Sequence, residues 1–104
     1  MSRGPDAATL LGRALVAASE RAGCPVSLAE SDWTRWASAT FTGARHGITL
    51  VGTHSSALDA WIAALPEAEF ALHGHLVADL QLVRVRRAGA ALTAEIEVLT
   101  VERR

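Results

Sequence analysis

From residue 7 onward, apolar residues recur at intervals of three and four, the spacing that gives an amphipathic helix its buried stripe. The stripe consists of Ala7, Leu10, Leu11, Ala14, Leu15, Ala18 and Ala22. Asp6 stands where an N-cap would accept backbone N–H groups, and Gly23 followed by Pro25 ends the pattern. The sequence therefore predicts a first helix between Asp6 and Gly23.

A strand pattern follows this helix after a segment with conflicting signals. Residues 26–32 combine a capping-box spacing with small polar residues after a proline, and we predict an irregular loop there. Residues 36–42 alternate, which predicts a strand with Ala37, Ala39 and Phe41 on its inner side. We expect a turn over the glycine-bounded residues 43–47 and a returning strand over 48–51.

The second half of the chain repeats the helix and strand patterns. A capping-box spacing begins at Ser56, and Leu58, Trp61, Ile62 and Leu65 form an apolar stripe that Pro66 ends. This predicts a second helix with Trp61 in the core. Two long alternating runs, Leu76–Arg86 and Leu92–Val101, then predict a hairpin with its turn at residues 87–90.

The resulting order αββαββ predicts an α+β fold, a two-layer sandwich in which two helices cover one face of a four-stranded, mainly antiparallel sheet. A circularly permuted ferredoxin-like fold would have the same element order. That arrangement places strand 92–101 centrally and strands 36–42 and 76–86 at the edges. We expect one domain over residues 1–104, with flexible ends at 1–5 and 102–104.

The helices leave one face of the sheet open to water, to a second copy or to another protein. The alternation puts Leu80, Leu82, Ala94, Ile96 and Val98 on the helix side. We expect the open side to carry an unusual share of apolar residues for a solvated face. Together with Trp33 beside it, this surface predicts an interface formed by Trp33, Trp36, Val83 and Val85. The simplest form is a homodimer through the open face or through an edge strand. The alternative is an ordinary solvated sheet face.

Composition narrows the function classes. The chain has 104 residues, of which half are hydrophobic and a fifth are charged, and its net charge is -1. All of the basic residues are arginines, a bias that indicates a high-GC bacterium. Without a basic excess we predict no nucleic-acid binding. The arginines at 84, 86 and 87 should instead pair across the sheet with Glu95, Glu97 and Glu102.

Cys24 is the single cysteine, so no intramolecular disulfide is possible. Charged residues interrupt the apolar stretch that precedes Cys24, which argues against a cleaved lipoprotein signal. No apolar run approaches the length of about 18 residues that a membrane span requires. We therefore expect a cytoplasmic protein with no membrane association.

A second functional interpretation places a site at the predicted hairpin tip. Arg45 and His46 at the tip, with Ser38 and Thr40 on the incoming strand, have the chemistry to bind an anion or a small polar ligand. Ser38 and His46 would also suit a nucleophile and its base, but the sequence places no orienting carboxylate or oxyanion donor beside them. We assign no catalytic residue and no cofactor.

His73 and His75 could share one metal ion on a strand, with Asp79 or His46 as a further ligand. Gly74 between them favours a turn, in which the two side chains diverge, and we predict no metal site. The sequence therefore favours a non-enzymatic protein-interaction or oligomerisation module. The alternative is a small-ligand or anion-binding protein, conceivably an enzyme, that uses Ser38, Thr40, Arg45 and His46.

Overall fold

The computed structural model describes residues 6–103 and confirms the predicted α+β order αββαββ. Two α-helices pack on a four-stranded antiparallel sheet. The first unit contains α1 (Ala7–Arg21), β1 (Val26–Ala37) and β2 (Thr42–Thr53). The second contains α2 (Ser56–Ala64), a short 3-10 helix (Leu65–Glu67), β3 (His75–Ala88) and β4 (Ala91–Glu102).

The helix ends follow local capping chemistry. The Thr9 N–H donates to Asp6 Oδ1 over 2.9 Å, which confirms Asp6 as the N-cap of α1. In α2 the cap is Ser55, whose Oγ accepts the Leu58 N–H over 3.0 Å, one residue before the predicted Ser56. Both caps satisfy backbone donors that the first helical turn leaves without partners.

The strands lie in the order β1-β2-β4-β3, and every neighbouring pair is antiparallel. Strands β2 and β4 are therefore central, whereas β1 and β3 each have one free edge. This confirms the predicted central position of the last strand and the edge positions of the first and third strands. The long strands give the molecule extents of 45 × 24 × 23 Å.

The core lies between the helices and one face of β2 and β4. Both helices contribute to it, and so do alternate residues of the two central strands. Its fully buried members include Leu11, Leu15, Ile48, Leu50, Leu58, Leu92, Ala94, Ile96 and Val98. Trp61, which the sequence places in the core, is partly buried and packs against this cluster. Burial of these side chains supplies the main force that holds the helices on the sheet.

The first hairpin differs from the prediction. Strand β1 begins at Val26, so the predicted loop over residues 26–32 is wrong, and β2 already begins at Thr42. The chain reverses at residues 38–41 instead of 43–47. Ser38 closes this turn, because its Oγ accepts the N–H of Phe41 over 3.0 Å and its N–H donates to the Phe41 carbonyl over 2.7 Å.

The shifted hairpin exposes residues that the alternation placed inward. Phe41 is 54% exposed in the turn, and Ala37 and Ala39 are exposed as well. At the other end, Glu102 completes β4 and the Arg103 N–H donates to the Gly74 carbonyl over 2.8 Å, so residues 102 and 103 are held by the sheet. Residues 1–5 and 104, also predicted to be flexible, lie outside the described residues.

Candidate functional site

Strand β1 is the most exposed regular element of the sheet. It has 12 residues and forms one edge, and residues 27–37 are exposed except for the half-buried Trp36. Helix α1 packs beside β1, where a Cβ on Gly12 would stand 2.8 Å from Leu28 Cδ1, but the side chains of β1 stay largely open to solvent. A long edge strand with free backbone N–H and C=O groups is a template for pairing with another chain.

The two tryptophans of β1 lie on opposite faces. Trp33 pairs in register with the buried His46, so it lies on the helix side, where it is 51% exposed. Trp36 pairs with Gly43 on the open face and is half-buried. These positions separate the two tryptophans, which the sequence analysis grouped in one interface.

Trp36 lies over the backbone of β2. A Cβ on Gly43 would stand 2.9 Å from Trp36 Cζ2 and 1.9 Å from the Thr100 carbonyl oxygen, so only glycine fits beneath the ring. Trp36 Nε1 is buried and has no hydrogen-bond partner within residues 6–103. Residues that pair in succession across the four strands lie at one level of the sheet. At the level of Trp36 these residues are Gly43, Val101 and Leu76, and Leu76 is 47% exposed. An apolar band therefore crosses the open face at this end.

Strand β3 forms the opposite edge and carries two irregularities. Its register against β4 shifts between Val77 and Asp79 and again between Leu82 and Arg84. Val83 stands in the second bulge and is 52% exposed. The bulge also reverses the predicted side of Val85, which pairs with the buried Ala94 and packs against the core instead of lying on the open face.

The two edge strands differ in charge. Strand β1 has two acidic residues, Glu30 and Asp32, and one basic residue, Arg35. Strand β3 has one acidic residue, Asp79, and three arginines, at 84, 86 and 87. Arg86 lies 3.5 Å from the Glu95 carboxylate, as the predicted cross-strand pairing requires. Arg87 instead donates to Asp59 of α2 over 2.8 Å and, with His54, lowers the pKa of that carboxyl.

The structure does not bring the four predicted ligand-binding residues together. Ser38 and Thr40 lie in the turn between β1 and β2, where Ser38 Oγ is engaged by backbone N–H groups. Arg45 and His46 are consecutive residues of β2 and point to opposite faces, so they do not form a hairpin tip. Arg45 lies exposed on the open face, whereas His46 is 1% exposed in the core.

His46 is held in the core by a short polar network. Its Nε2 lies 2.9 Å from Thr100 Oγ1, and that hydroxyl donates to the Ala44 carbonyl over 3.4 Å. His46 Nδ1 is buried without a hydrogen-bond partner in the described part of the chain. Burial lowers the pKa of His46, and the nearby His75 lowers it further, while the Asp6 carboxylate opposes the change. Burial therefore favours the neutral imidazole over the charged form.

Sequence reasoning missed the feature that most distinguishes this surface, namely the exposed length of β1. The signal was present: Trp33, Thr34 and Trp36 are residues with high strand propensity. The conflicting capping-box spacing concealed it. The bulge at Val83 also left a signal, because the apolar positions change phase there, from Leu80 and Leu82 to Val83 and Val85.

No helix in the described part of the chain has the length and apolar character needed to cross a membrane.

Comparison with known proteins adds one distant structural relationship. No protein-family model matches the chain, and no curated protein matches it. A chain of a solved structure described as the virion of a native gene transfer agent (GTA) particle is similar to it, with a TM-score of 0.51. The sequences are 19% identical, and the match covers 99% of this chain and 75% of that chain. At this identity the similarity concerns the fold.

Proposed function

We propose that this protein is a structural subunit of a multi-subunit protein particle and that it acts by associating with other subunits instead of by catalysis. The observation that carries this proposal is the uncovered edge strand β1, whose residues 27–37 are solvent-exposed apart from the half-buried Trp36. A strand in this state leaves its edge hydrogen-bonding groups and Trp33 available to another chain.

The similarity to a chain of a virion supports the same function. The relationship extends over 99% of this chain, so the sheet, both edge strands and both helices are included in the matched fold. A fold can serve unrelated functions, and the similarity gains weight here because the exposed surfaces independently favour association. Tryptophan is also enriched among the residues that dominate binding energy at protein interfaces.

The mass of the untagged protein in solution tests this proposal. We expect light scattering to show a mass that rises above the monomer mass of 11.0 kDa as the concentration increases. The variant Trp33→Glu should weaken association because it places a charge at the centre of the exposed strand. Phe41→Glu is the matched control, since Phe41 is 54% and Trp33 51% exposed but Phe41 lies in the turn.

A wild-type mass of 11.0 kDa at every concentration up to about 1 mM would contradict the proposal. Equal weakening by Trp33→Glu and Phe41→Glu would show that β1 is not the associating element.

A further inference from the structure

The two edges of the sheet are complementary to each other. We propose that copies of this chain associate head to tail, with the β3 edge of one copy paired to the β1 edge of the next, so that their sheets form one continuous sheet. This inference rests on the proposed function and names a second copy of the chain as the partner. Direction, register, apolar contacts and charge support it separately.

Direction is compatible without any change in the fold. Three successive antiparallel pairings separate β1 from β3, so the two edge strands run in opposite directions. A second copy placed beside the first in the same orientation therefore presents its β1 antiparallel to β3. The helices of both copies then lie on the same side of the joined sheet.

The register is also compatible, because the irregularity of β1 stands at the same level as the second irregularity of β3, while the first, between Val77 and Asp79, lies beyond the residues that would pair. Following the pairs across the sheet puts Val26 level with Arg87, Leu28 with Val85, Ser31 with Leu82 and Thr34 with Asp79. Between Leu28 and Ser31 the first strand has two residues, and between Leu82 and Val85 the third strand also has two. The bulges at Ala29 and Val83 thus compensate each other.

The Val26 N–H is already bonded to Ser19 Oγ, so the residues of one copy that can pair one to one with 79–86 of another are 27–34. An antiparallel ladder of this length forms about eight backbone hydrogen bonds, comparable with the number in a typical protein interface. Bulges protect an edge strand from pairing with a regular strand. Here the bulges at Ala29 and Val83 favour pairing of β1 with β3, because each strand has a bulge at the position where the other needs one.

Exposed apolar residues on one edge meet apolar residues on the other in this register. On the helix side, Trp33 would lie opposite Leu80, and Leu28, which is 41% exposed, opposite Val85. On the open face, the level that contains Trp36 ends at Leu76, so these two residues of adjacent copies would become neighbours. The contact would cover three of the large hydrophobic residues that a single copy exposes, namely Leu28, Trp33 and Leu76.

Charge favours this pairing over the symmetric pairing of β1 with itself. Glu30 and Arg84 occupy the same level of the sheet at opposite edges, and neither has an ion-pair partner within residues 6–103. Head-to-tail contact would make them diagonal neighbours, with Arg84 opposite Ala29, whereas pairing β1 with itself would join two strands that each carry two carboxylates and one arginine. Because the contact joins different surfaces, it repeats and produces a ring or an open chain of subunits.

Two edge-blocking variants test the proposal. Trp33→Glu blocks β1 and Val83→Glu blocks β3, and both residues are about half exposed, so the folded monomer should tolerate either change. We expect each variant alone to weaken association about 100-fold or more. An equimolar mixture should form a 1:1 dimer and no larger species. In that dimer the intact β3 of the Trp33→Glu copy pairs with the intact β1 of the Val83→Glu copy, and the two remaining edges are blocked. Native mass spectrometry measures this directly, with Phe41→Glu as the control.

The outcomes separate this inference from the proposed function. If Val83→Glu alone keeps the wild-type mass, or if the two folded variants remain monomeric when mixed, the head-to-tail contact is wrong while association itself stands. A monomeric wild type contradicts both. If one of these variants does not fold, the charge exchange replaces it: Glu30→Arg and Arg84→Glu should each weaken association, and the double variant should restore it. Failure of the double variant to restore association would also overturn the proposal.

Discussion

Acidification should destabilise this protein through His46. The imidazole is 1% exposed, its Nε2 lies 2.9 Å from Thr100 Oγ1, and its pKa is lowered chiefly by burial. When the folded state holds a histidine below its ordinary pKa, the unfolded state binds more protons. The contribution to stability is therefore complete above about pH 6.5 and is lost as the pH falls toward the lowered pKa of the folded state.

The size of the effect follows from this linkage. At pH 5.5 a histidine with a pKa of about 6.5 is about nine-tenths protonated in the unfolded chain. If His46 stays neutral in the fold, the free energy of unfolding falls by up to about 1.4 kcal/mol between pH 7.5 and 5.5. For a domain of this length, such a loss lowers the melting temperature by about 5–10 °C.

Thermal unfolding at both pH values checks this prediction in dilute protein. His46→Gln retains a polar side chain near Thr100 but cannot titrate, so its melting temperature should depend less on pH than that of the wild type. His73→Gln is the control, since His73 is exposed and should leave the wild-type pH dependence unchanged. Equal pH dependence in the wild type and His46→Gln would refute the assignment of this effect to the buried imidazole.

Two further substitutions test the packing. Gly43→Ala should destabilise the fold by about 3 kcal/mol or prevent folding, because the new Cβ would stand 1.9 Å from the Thr100 carbonyl oxygen. Chemical denaturation measures the loss in the free energy of unfolding. A loss below about 1 kcal/mol would contradict the reasoning. Ser19→Ala should cost about 1–3 kcal/mol in the same assay, because Ser19 Oγ accepts the buried Val26 N–H over 3.0 Å. A neutral effect of Ser19→Ala would show that Val26 finds another acceptor.

Local signals were sufficient to predict the helices. Asp6 caps α1 as the sequence indicates, and the apolar stripe of each helix faces the core. The order of elements then limited the fold to a two-layer α+β arrangement, with the last strand in the centre. These features depend on side-chain periodicity and capping within a few residues, which a single sequence contains.

The first hairpin was not predictable in the same way. Residues 27–37, apart from the half-buried Trp36, are exposed, so no buried side sets an alternation for them. Gly43 and Gly47 suggested a turn but lie within β2, where Trp36 and Asp32 of the adjacent strand approach them closely. Such glycines reflect contacts between strands, which a local reading of the sequence cannot contain.

The sequence indicated only part of the exposed surface. Trp33 and Val83 were predicted to be interface residues, and both are about half exposed, one on each edge strand. Val85 was assigned to the wrong face because one alternation was assumed along the whole strand, whereas the apolar positions change phase at Val83, where the bulge lies. The bulges at Ala29 and Val83 lie at the same level on opposite edges of the sheet, which is seen only when the three strand pairings are followed from β1 to β3.

Hydrogen–deuterium exchange at low and high protein concentration measures most directly whether the two sheet edges pair. Peptides from residues 27–34 of β1 and 79–86 of β3 should gain protection together as the concentration rises, because outward-facing amides of both strands become hydrogen-bonded. Peptides from the central strands β2 and β4 should change little. Protection of one edge alone, or of neither, would contradict head-to-tail pairing of the sheets.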